Sequence, residues 1–415
     1  MRKGIVTTCM LLCLTAGGIQ RASADEVIKW NETATSVGTV TNPIQQSRIF
    51  AMTHAAIHDA LNAIDRRYHS YALDIQVTAE ASPEAAVATA AHAVLVDQLP
   101  SKATDLNDAY TASLALIPDG LAKTAGVAVG QAAAAVVLAL RIGDGAAEAQ
   151  FTYTPGTNPG DYQFTPPNDN PPFVLLPGWG EVIPFVLEDS SQFRPGPPYT
   201  LTSKKYTADF NEVKSLGAKN GSSRTAEQTE IAQFWRESSP IGWNRVARVV
   251  SAQQGLSLAE NARLFALLNL ALADGYIGSY ETKYYYHFWR PITAIRLADT
   301  DGNPDTSADP TWEPLFPTPA LPDHDSAHSV EGGAAAEVLK QFFGSDTVSF
   351  STTSTTTTPP NTVVRTFGSF SQAAEENGLS RIYIGFHFRN AVTDGIKHGR
   401  KIGNLTVTHF LRPEH

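Results

Sequence analysis

Three short segments in the last third of the chain combine basic side chains, histidines and small hydroxyl residues. The first segment runs from Lys283 to Pro291, and Lys283 precedes Arg290 by seven residues. Seven residues make about two turns of an α-helix, so this spacing predicts two cations on one face. Stacked cations repel each other unless an anion lies between them, which makes the face a candidate anion site. The alternative is a solvated basic edge on an aromatic helix.

The second segment runs from Pro322 to Ser329 and leads from a proline-rich loop into a helix that starts with small residues. Backbone N–H groups at a helix start favour an anion, and the hydroxyl of Ser326 adds a donor. His328 follows at a position from which an imidazole could transfer a proton. The alternative is that Ser326 or Asp325 only caps the helix and that His328 lies at the surface.

The third segment contains Arg381, Gly385, His387 and Asp394. The planar guanidinium of an arginine can bind two oxygens of an oxyanion at once, and a histidine offers a ring nitrogen. Gly385 leaves room for a close ligand, and the seven-residue spacing predicts Asp394 on the same helix face as His387. The alternative is a structural helix that carries one arginine.

Taken in chain order, the segments read Lys-x6-Arg-Pro, Pro…Ser-x-His and Ser-Arg-x3-Gly-x-His-x6-Asp. This set resembles the superfamily that joins vanadium-dependent haloperoxidases with type-2 phosphatidic acid phosphatases. The resemblance implies that Lys283, Arg290 and Arg381 bind the oxygens of vanadate or phosphate, with Ser326 and the amide of Ala327 as further donors. It also implies that His387 is the apical residue and vanadium ligand, and that His328 is the acid–base group.

This chain departs from the usual Pro-Ser-Gly-His because it has Asp325-Ser326-Ala327-His328. Alanine still offers its N–H, but a carboxylate at position 325 would repel an oxyanion unless it points away or pairs with His324. Three further residues are candidates for contacts around the site. They are Glu237 as a partner that orients His328, His287 inside the aromatic run, and Asp394 as a partner of His387.

The resemblance implies a haloperoxidase that oxidises bromide or iodide with hydrogen peroxide and passes the product to a small organic acceptor. The aromatic run from Tyr284 to Trp289 favours this interpretation. The alternative is an acid phosphatase that holds phosphate in the same pocket and hydrolyses a phosphomonoester through a phosphohistidine at His387. A third class is a protein that only sequesters oxyanions. Related pockets often occur in homodimers, although the sequence shows no interface signature.

Composition supports a folded enzyme, since 42% of the 415 residues are hydrophobic and 17% are charged. The net charge of −10 disfavours nucleic-acid and anionic-membrane partners. Apolar spacing predicts an all-α fold with few or no strands. Helices are expected at about 48–64, 84–98, 104–116, 121–143, 204–217, 225–237, 257–275, 278–296, 326–343, 367–377 and 380–411.

The segments between these helices are predicted to be irregular. Residues 25–46 are expected to be an extended lead-in, and the proline-rich stretch at 152–200 a long ordered loop. Residues 299–325 form a second predicted loop, and the Ser/Thr run at 345–360 a flexible surface excursion. Residues 25–415 are expected to form one domain, with an N-terminal helical half at about 25–200 and the pocket built from 257–415.

The first 24 residues read as a cleaved export signal, with Arg2 and Lys3 before an apolar run and Ala22-Ser23-Ala24 before the cut. Both cysteines lie inside this signal, so the mature protein is expected to be free of thiols and secreted or periplasmic. No later stretch is expected to span a membrane, and the Ala-rich segment at 126–141 is judged too mildly apolar.

Overall fold

The computed structural model describes residues 25–77 and 80–414, and their regular structure is almost entirely helical. The helices are Glu26–Val37 (α1), Pro43–Ile64 (α2), Pro83–Gln98 (α3), Ala103–Ala115 (α4), Leu121–Leu140 (α5), Lys204–Leu216 (α6), Ala226–Phe234 (α7), Ser239–Gln254 (α8), Leu258–Tyr286 (α9), Pro291–Arg296 (α10), Ala327–Phe343 (α11), Phe370–Tyr383 (α12) and Arg389–His409 (α13). Two short antiparallel strands, Phe350–Thr352 (β1) and Arg365–Phe367 (β2), pair Phe350 with Phe367. The all-α prediction is confirmed. The predicted signal peptide lies outside the described residues.

Helix α9 lies at the centre of the molecule and ends at the candidate site. It begins with a capping box between Ser257 and Glu260 and continues for 29 residues. Nearly every side chain from Asn261 to Lys283 is buried, as expected for a helix that is covered on all sides. It contacts α2 of the N-terminal half as well as α11 and α13 of the C-terminal half. Its C-terminal end therefore carries site residues on a fixed support.

Helices α11 and α13 cross at very short distance because glycines line the contact. A Cβ atom added at Gly399 would lie 1.9 Å from the carbonyl oxygen of Val330 and 2.7 Å from the amide nitrogen of Ala334. Real Cβ atoms do not approach backbone atoms this closely, so any side chain at position 399 must push the helices apart. The crossing matters for the site because α11 begins beside Ser326 and α13 begins two residues after His387.

We therefore expect Gly399→Ala to lower the free energy of unfolding by about 3 kcal/mol or more, since two packed backbones must separate. Urea denaturation followed by circular dichroism measures this loss. Gly196→Ala is the matched control, because a Cβ there would meet nothing within 4 Å. Equal unfolding midpoints for the two variants would contradict the close crossing.

Several predicted elements differ from the structure. The expected extended lead-in contains α1, whose N-cap Asp25 accepts hydrogen bonds from the amides of Val27 and Ile28 at 2.8 and 3.2 Å. Helix α8 was not predicted at all. The Ser/Thr run is not a flexible excursion, because its flank contains β1 and the buried Ser354 donates to the Phe234 carbonyl at 2.7 Å.

The long loop prediction for residues 152–200 is confirmed, since its one helical element is the 3-10 turn Trp179–Glu181. Its ordering has a clear cause. The buried carboxylate of Asp274 on α9 accepts from the amides of Phe185, Val186 and Leu187 at 2.7, 2.7 and 2.8 Å. One side chain thus fixes three consecutive residues of the loop against the central helix.

The expectation that residues 126–141 are too mildly apolar to span a membrane is wrong. Helix α5 is long and apolar enough to cross a membrane by length and composition. In the structure it packs against α3, where Cβ atoms added at Gly126 and Gly130 would lie 2.4 and 2.5 Å from the carbonyl oxygens of Ser82 and Ala86. About a third of its most apolar window is buried inside the protein.

Candidate active site

Lys283 and Arg290 do not share a helix in the structure, although both donate to the loop before α11. The prediction of one helix over 278–296 is wrong, because α9 ends at Tyr286 and His287 takes a left-handed conformation with φ of 50°. A second helix, α10, starts at Pro291, with Arg290 as its N-cap residue. Proline is well tolerated at the first position of a helix, where its missing N–H would have no partner. The interruption between α9 and α10 therefore lets both cations reach the same loop.

Lys283 is completely buried and donates to three backbone carbonyls. Its Nζ lies 3.1 Å from the oxygen of Pro322 and 3.0 Å from that of Asp323, and it also donates to the carbonyl of Asp325. These bonds tie the end of α9 to the loop before α11. An oxyanion that binds Lys283 directly must share or displace one of these carbonyls.

Arg290 is also buried and lies directly against His387. Its Nε donates to the Leu321 carbonyl at 2.6 Å, and its Nη1 donates to the Phe386 carbonyl at 3.0 Å. The same Nη1 is 3.0 Å from Nε2 of His387. Arg290 therefore joins the loop before α11 to the turn before α13.

Arg381 and His387 complete the group of buried polar side chains. Arg381, near the end of α12, donates from Nη1 to the Trp235 carbonyl at 3.3 Å, and its buried Nε has no partner among the described residues. His387 lies in the turn between α12 and α13. We call Lys283, Arg290, Arg381 and His387 the oxyanion cage.

Nearby buried carboxylates offset the positive charge of the oxyanion cage only in part. Burial and the nearby Arg290 lower the pKa of Lys283 to about 7 and that of Arg381 to about 9. Burial and the same cations hold the pKa of His387 well below its ordinary value, so the imidazole is neutral. A buried anion would relieve the repulsion among the cations, and a neutral imidazole can offer a ring nitrogen as ligand. These residues fit a tetrahedral oxyanion.

The start of α11 supplies the other predicted donors. Ser326 is the N-cap residue, but its hydroxyl does not cap the helix and instead accepts from the Ser329 hydroxyl at 2.9 Å. Because the Ser326 oxygen is the acceptor in this contact, its own O–H can still act as a donor. The amides of Ala327 and His328 are the first two of the helix and have no intrahelical acceptor. The local arrangement is thus suited to an anion.

His328 is half-buried and is held by a backbone carbonyl. Its Nε2 lies 3.2 Å from the carbonyl oxygen of Glu237. The predicted role of the Glu237 side chain is wrong, because that carboxylate forms a two-pronged ion pair with Arg245 at 2.7 Å and accepts from the amide of Thr355. Burial and Arg381 keep the pKa of His328 well below its ordinary value.

Two other predicted contacts do not form. Asp394 accepts from Asn390 at 2.7 Å and from Lys397 at 3.4 Å, and it lies on α13, which starts after His387. Its seven-residue spacing from His387 therefore does not describe one helix face. His287 is exposed, and its Nδ1 lies 2.9 Å from the hydroxyl of Tyr153 rather than in the oxyanion cage.

Asp323 is the residue beside the oxyanion cage that the sequence did not reveal. Its Oδ1 is 2.8 Å from Nδ1 of His387 and 3.8 Å from Nη1 of Arg290. The carboxylate lies off the axis of the ring N–H bond, so the contact is electrostatic rather than a well-directed hydrogen bond. Burial raises the pKa of Asp323 to about 7, although the two cations oppose this shift. Asp325, the carboxylate that the sequence predicted would repel an oxyanion, bonds Ser279 and His398 instead.

The pKa of Lys283 predicts a pH dependence of oxyanion binding. Above about pH 7 the ammonium loses its proton, and the oxyanion cage loses one positive charge. We expect the phosphate affinity of the wild-type protein to fall by up to about tenfold more per pH unit than that of Lys283→Gln, which has no proton to lose. Calorimetric titration with inorganic phosphate from about pH 6 to about pH 9 measures both slopes. Since the titration of phosphate itself is common to both proteins, parallel slopes would contradict a titrating Lys283.

Comparison with known proteins places the oxyanion cage inside a matched region. Residues 263–413 match the model of the VCPO second helical-bundle domain. The chain is 26% identical to vanadium chloroperoxidase of Curvularia inaequalis, over 86% of this chain and 76% of that protein. Its fold is similar to that of a bacterial vanadium-dependent iodoperoxidase, with a TM-score of 0.79, 27% identity and coverage of 93% and 97% of the two chains. A holo-type bacterial vanadium-dependent chloroperoxidase has a TM-score of 0.71 at 17% identity, over 91% and 94% of the chains, which is a likeness of fold.

Proposed function

We propose that this chain is a member of the vanadium-haloperoxidase superfamily, which it resembles in sequence and fold, and that it oxidises halide with hydrogen peroxide. The cofactor is vanadate, held in the oxyanion cage with His387 as its protein ligand. The observation that carries this proposal is the burial of three cationic side chains around one neutral imidazole. The proposed substrates are hydrogen peroxide and bromide or iodide, with a small organic molecule as acceptor.

The cations of the oxyanion cage would bind the oxygens of vanadate. Arg290 and Arg381 present fixed guanidinium groups, and Lys283 adds charge from the end of α9. Fixed charges in a buried site stabilise a developing negative charge without having to reorganise. When bound, vanadate activates hydrogen peroxide so that halide is oxidised to hypohalous acid. The buried Nε of Arg381, which lacks a partner among the described residues, is a natural donor to such an oxyanion.

His328 would handle the proton of the incoming peroxide. A carbonyl oxygen can only accept, so the contact between Glu237 O and Nε2 at 3.2 Å assigns the ring hydrogen to Nε2. Nδ1 of the neutral ring then carries the lone pair. We assign the removal of the peroxide proton to this atom, because it is the ring nitrogen that is left with a lone pair.

The deciding experiment uses protein stripped of phosphate and assayed with and without orthovanadate. Halogenation of a monochlorodimedone-type acceptor is followed with bromide and with iodide, alongside hydrolysis of p-nitrophenyl phosphate. Vanadate-dependent halogenation with either halide is the expected result. Hydrolysis that vanadate suppresses, with no halogenation at any halide, would replace the proposal with an acid phosphatase on the same oxyanion cage.

We also propose that the protein is exported after removal of residues 1–24, on the basis of the charged start, the apolar run and the Ala-Ser-Ala before the cut. Amino-terminal sequencing of the protein recovered outside the cytoplasm is expected to begin at Asp25. An intact amino terminus that retains Met1 would contradict this proposal.

A further inference from the structure

Asp325 forms a buried polar link between α9, α13 and the loop before α11. Its Oδ1 accepts from the hydroxyl of Ser279 at 2.7 Å, and its Oδ2 is 2.8 Å from Nδ1 of His398. All three side chains are completely buried or nearly so. The carboxylate is thus held by one residue of α9 and one residue of α13.

The main chain of the same residue holds Lys283. The carbonyl oxygen of Asp325 accepts from Nζ of Lys283, together with the carbonyls of Pro322 and Asp323. The position of the ammonium therefore depends on where residues 322–325 lie. Because the side chain of Asp325 is the anchor of this loop to two helices, the anchor and the ammonium are connected through one residue.

The charge state of Asp325 supports this link. Burial by itself raises the pKa of a carboxyl group, but the hydrogen bond and charge of His398, with the charge of Lys283, outweigh it and lower the pKa. A charged carboxylate is a strong acceptor for Ser279 and His398. A buried charge that loses such a partner must move or take up a proton.

His398 also fits its place closely. A Cβ atom added at Gly278 of α9 would lie 3.1 Å from Nε2 of His398, so the imidazole occupies the space that the glycine leaves open. The packing allows the ring little freedom to turn, and Nδ1 is directed at Asp325. The histidine thus serves as a fixed donor rather than as a solvated side chain.

We propose that His398 and Asp325 are positioning residues for Lys283, which set the place of its ammonium in the oxyanion cage. The proposal rests on the proposed function only in that the oxyanion cage binds an oxyanion. His398 lies in the middle of α13 and forms no hydrogen bond with the oxyanion cage in the part of the chain that the structure describes. The pair acts by fixing the carbonyls that orient Lys283.

The test compares two substitutions of His398 by their affinity for inorganic phosphate. Leucine removes the donor at similar size, whereas the amide nitrogen of asparagine lies near the place of Nδ1 and retains it. We expect His398→Leu to weaken phosphate binding about 10- to 100-fold, as for other residues that orient a ligand-binding group. The phosphate affinity of His398→Asn is expected to stay within about threefold of the wild-type value, because asparagine retains the donor.

A control and a double substitution separate positioning from general damage. Thr406→Val removes a buried hydroxyl of α13 that bonds only the Ile402 carbonyl, at 2.8 Å, so it tests packing in the same helix. If His398 acts through Lys283, then His398→Leu will add little in a Lys283→Gln background. Full additivity, or equal affinity losses in His398→Leu and Thr406→Val, would overturn the proposal.

Phosphate binding is measured without peroxide or halide. A protein that binds phosphate but oxidises no halide would therefore refute the proposed function and leave this test intact. A loss of affinity in His398→Leu, with rescue by asparagine, would still assign the positioning role. Unchanged affinity in a halogenating His398→Leu enzyme would refute the positioning role alone.

Discussion

His387→Ala is expected to abolish vanadate-dependent halide oxidation, with a fall in kcat/KM of at least about a thousandfold. His387 is the one imidazole within contact of Arg290 in the part of the chain that the structure describes, and burial keeps it neutral. Alanine removes the ring nitrogen that would hold vanadate, while the cations remain. The measurement is acceptor halogenation as a function of vanadate concentration, so that a loss of binding and a loss of turnover are distinguished.

The control for this substitution is His92→Ala. His92 is a half-buried histidine of α3 that bonds Asn107 at 2.8 Å, in the N-terminal half of the chain. It is expected to retain wild-type activity. Unfolding midpoints of both variants would show whether His387→Ala is still folded. A folded His387→Ala enzyme with vanadate-dependent turnover near that of wild type would disprove the ligand assignment.

Arg290→Met is expected to lower kcat/KM for halide by about 100- to 1000-fold, as for removal of a fixed donor to a developing charge. Arg290 is the cage residue with the most connections, because it bonds two carbonyls and contacts both His387 and Asp323. Methionine has a similar length but lacks the charge and the fork. Arg290→Lys keeps the charge alone, so its activity is expected to lie between that of wild type and that of Arg290→Met.

The same substitution is expected to change stability. Without Arg290, the carboxylate of Asp323 loses a compensating charge, and its pKa rises further above about 7. A loss of about 3–5 kcal/mol is expected if Asp323 stays charged, and a smaller loss where it can take up a proton. Urea denaturation at several pH values measures this loss of stability. The loss should shrink as the pH falls below about 7, because Asp323 then takes up a proton.

Arg296→Met is the matched control for this series. Arg296 lies on the same short helix, α10, and its Nε bonds the Trp312 carbonyl at 2.9 Å. It lies outside the oxyanion cage, so turnover is expected to remain close to that of wild type. If kcat/KM of Arg290→Met were within about threefold of the wild-type value, as is expected for Arg296→Met, Arg290 would not be part of the binding machinery.

The sequence by itself determined the chemistry of the site. Among the residues of the three segments are Lys283, two arginines (Arg290 and Arg381) and two histidines (His328 and His387) that suit an oxyanion site, and each identity limits what a group can do regardless of its surroundings. Apolar spacing also determined most helices, because a buried face imposes its period on the chain. Proline density excluded regular structure between residues 152 and 200 for an equally local reason. These inferences need no knowledge of distant neighbours.

Only the tertiary structure decided how the groups meet. The sequence placed Lys283 and Arg290 on one helix, but the helix ends at Tyr286 and the two residues reach the same loop from either side of a turn. The sequence likewise predicted that the carboxylate of Asp325 would lie beside the site and repel an oxyanion. The carboxylate beside His387 is that of Asp323. The Asp325 carboxylate bonds Ser279 and His398, which are 46 and 73 residues distant. Partners so far apart leave no local pattern, and in a loop the direction of a side chain is set by its partners rather than by a period.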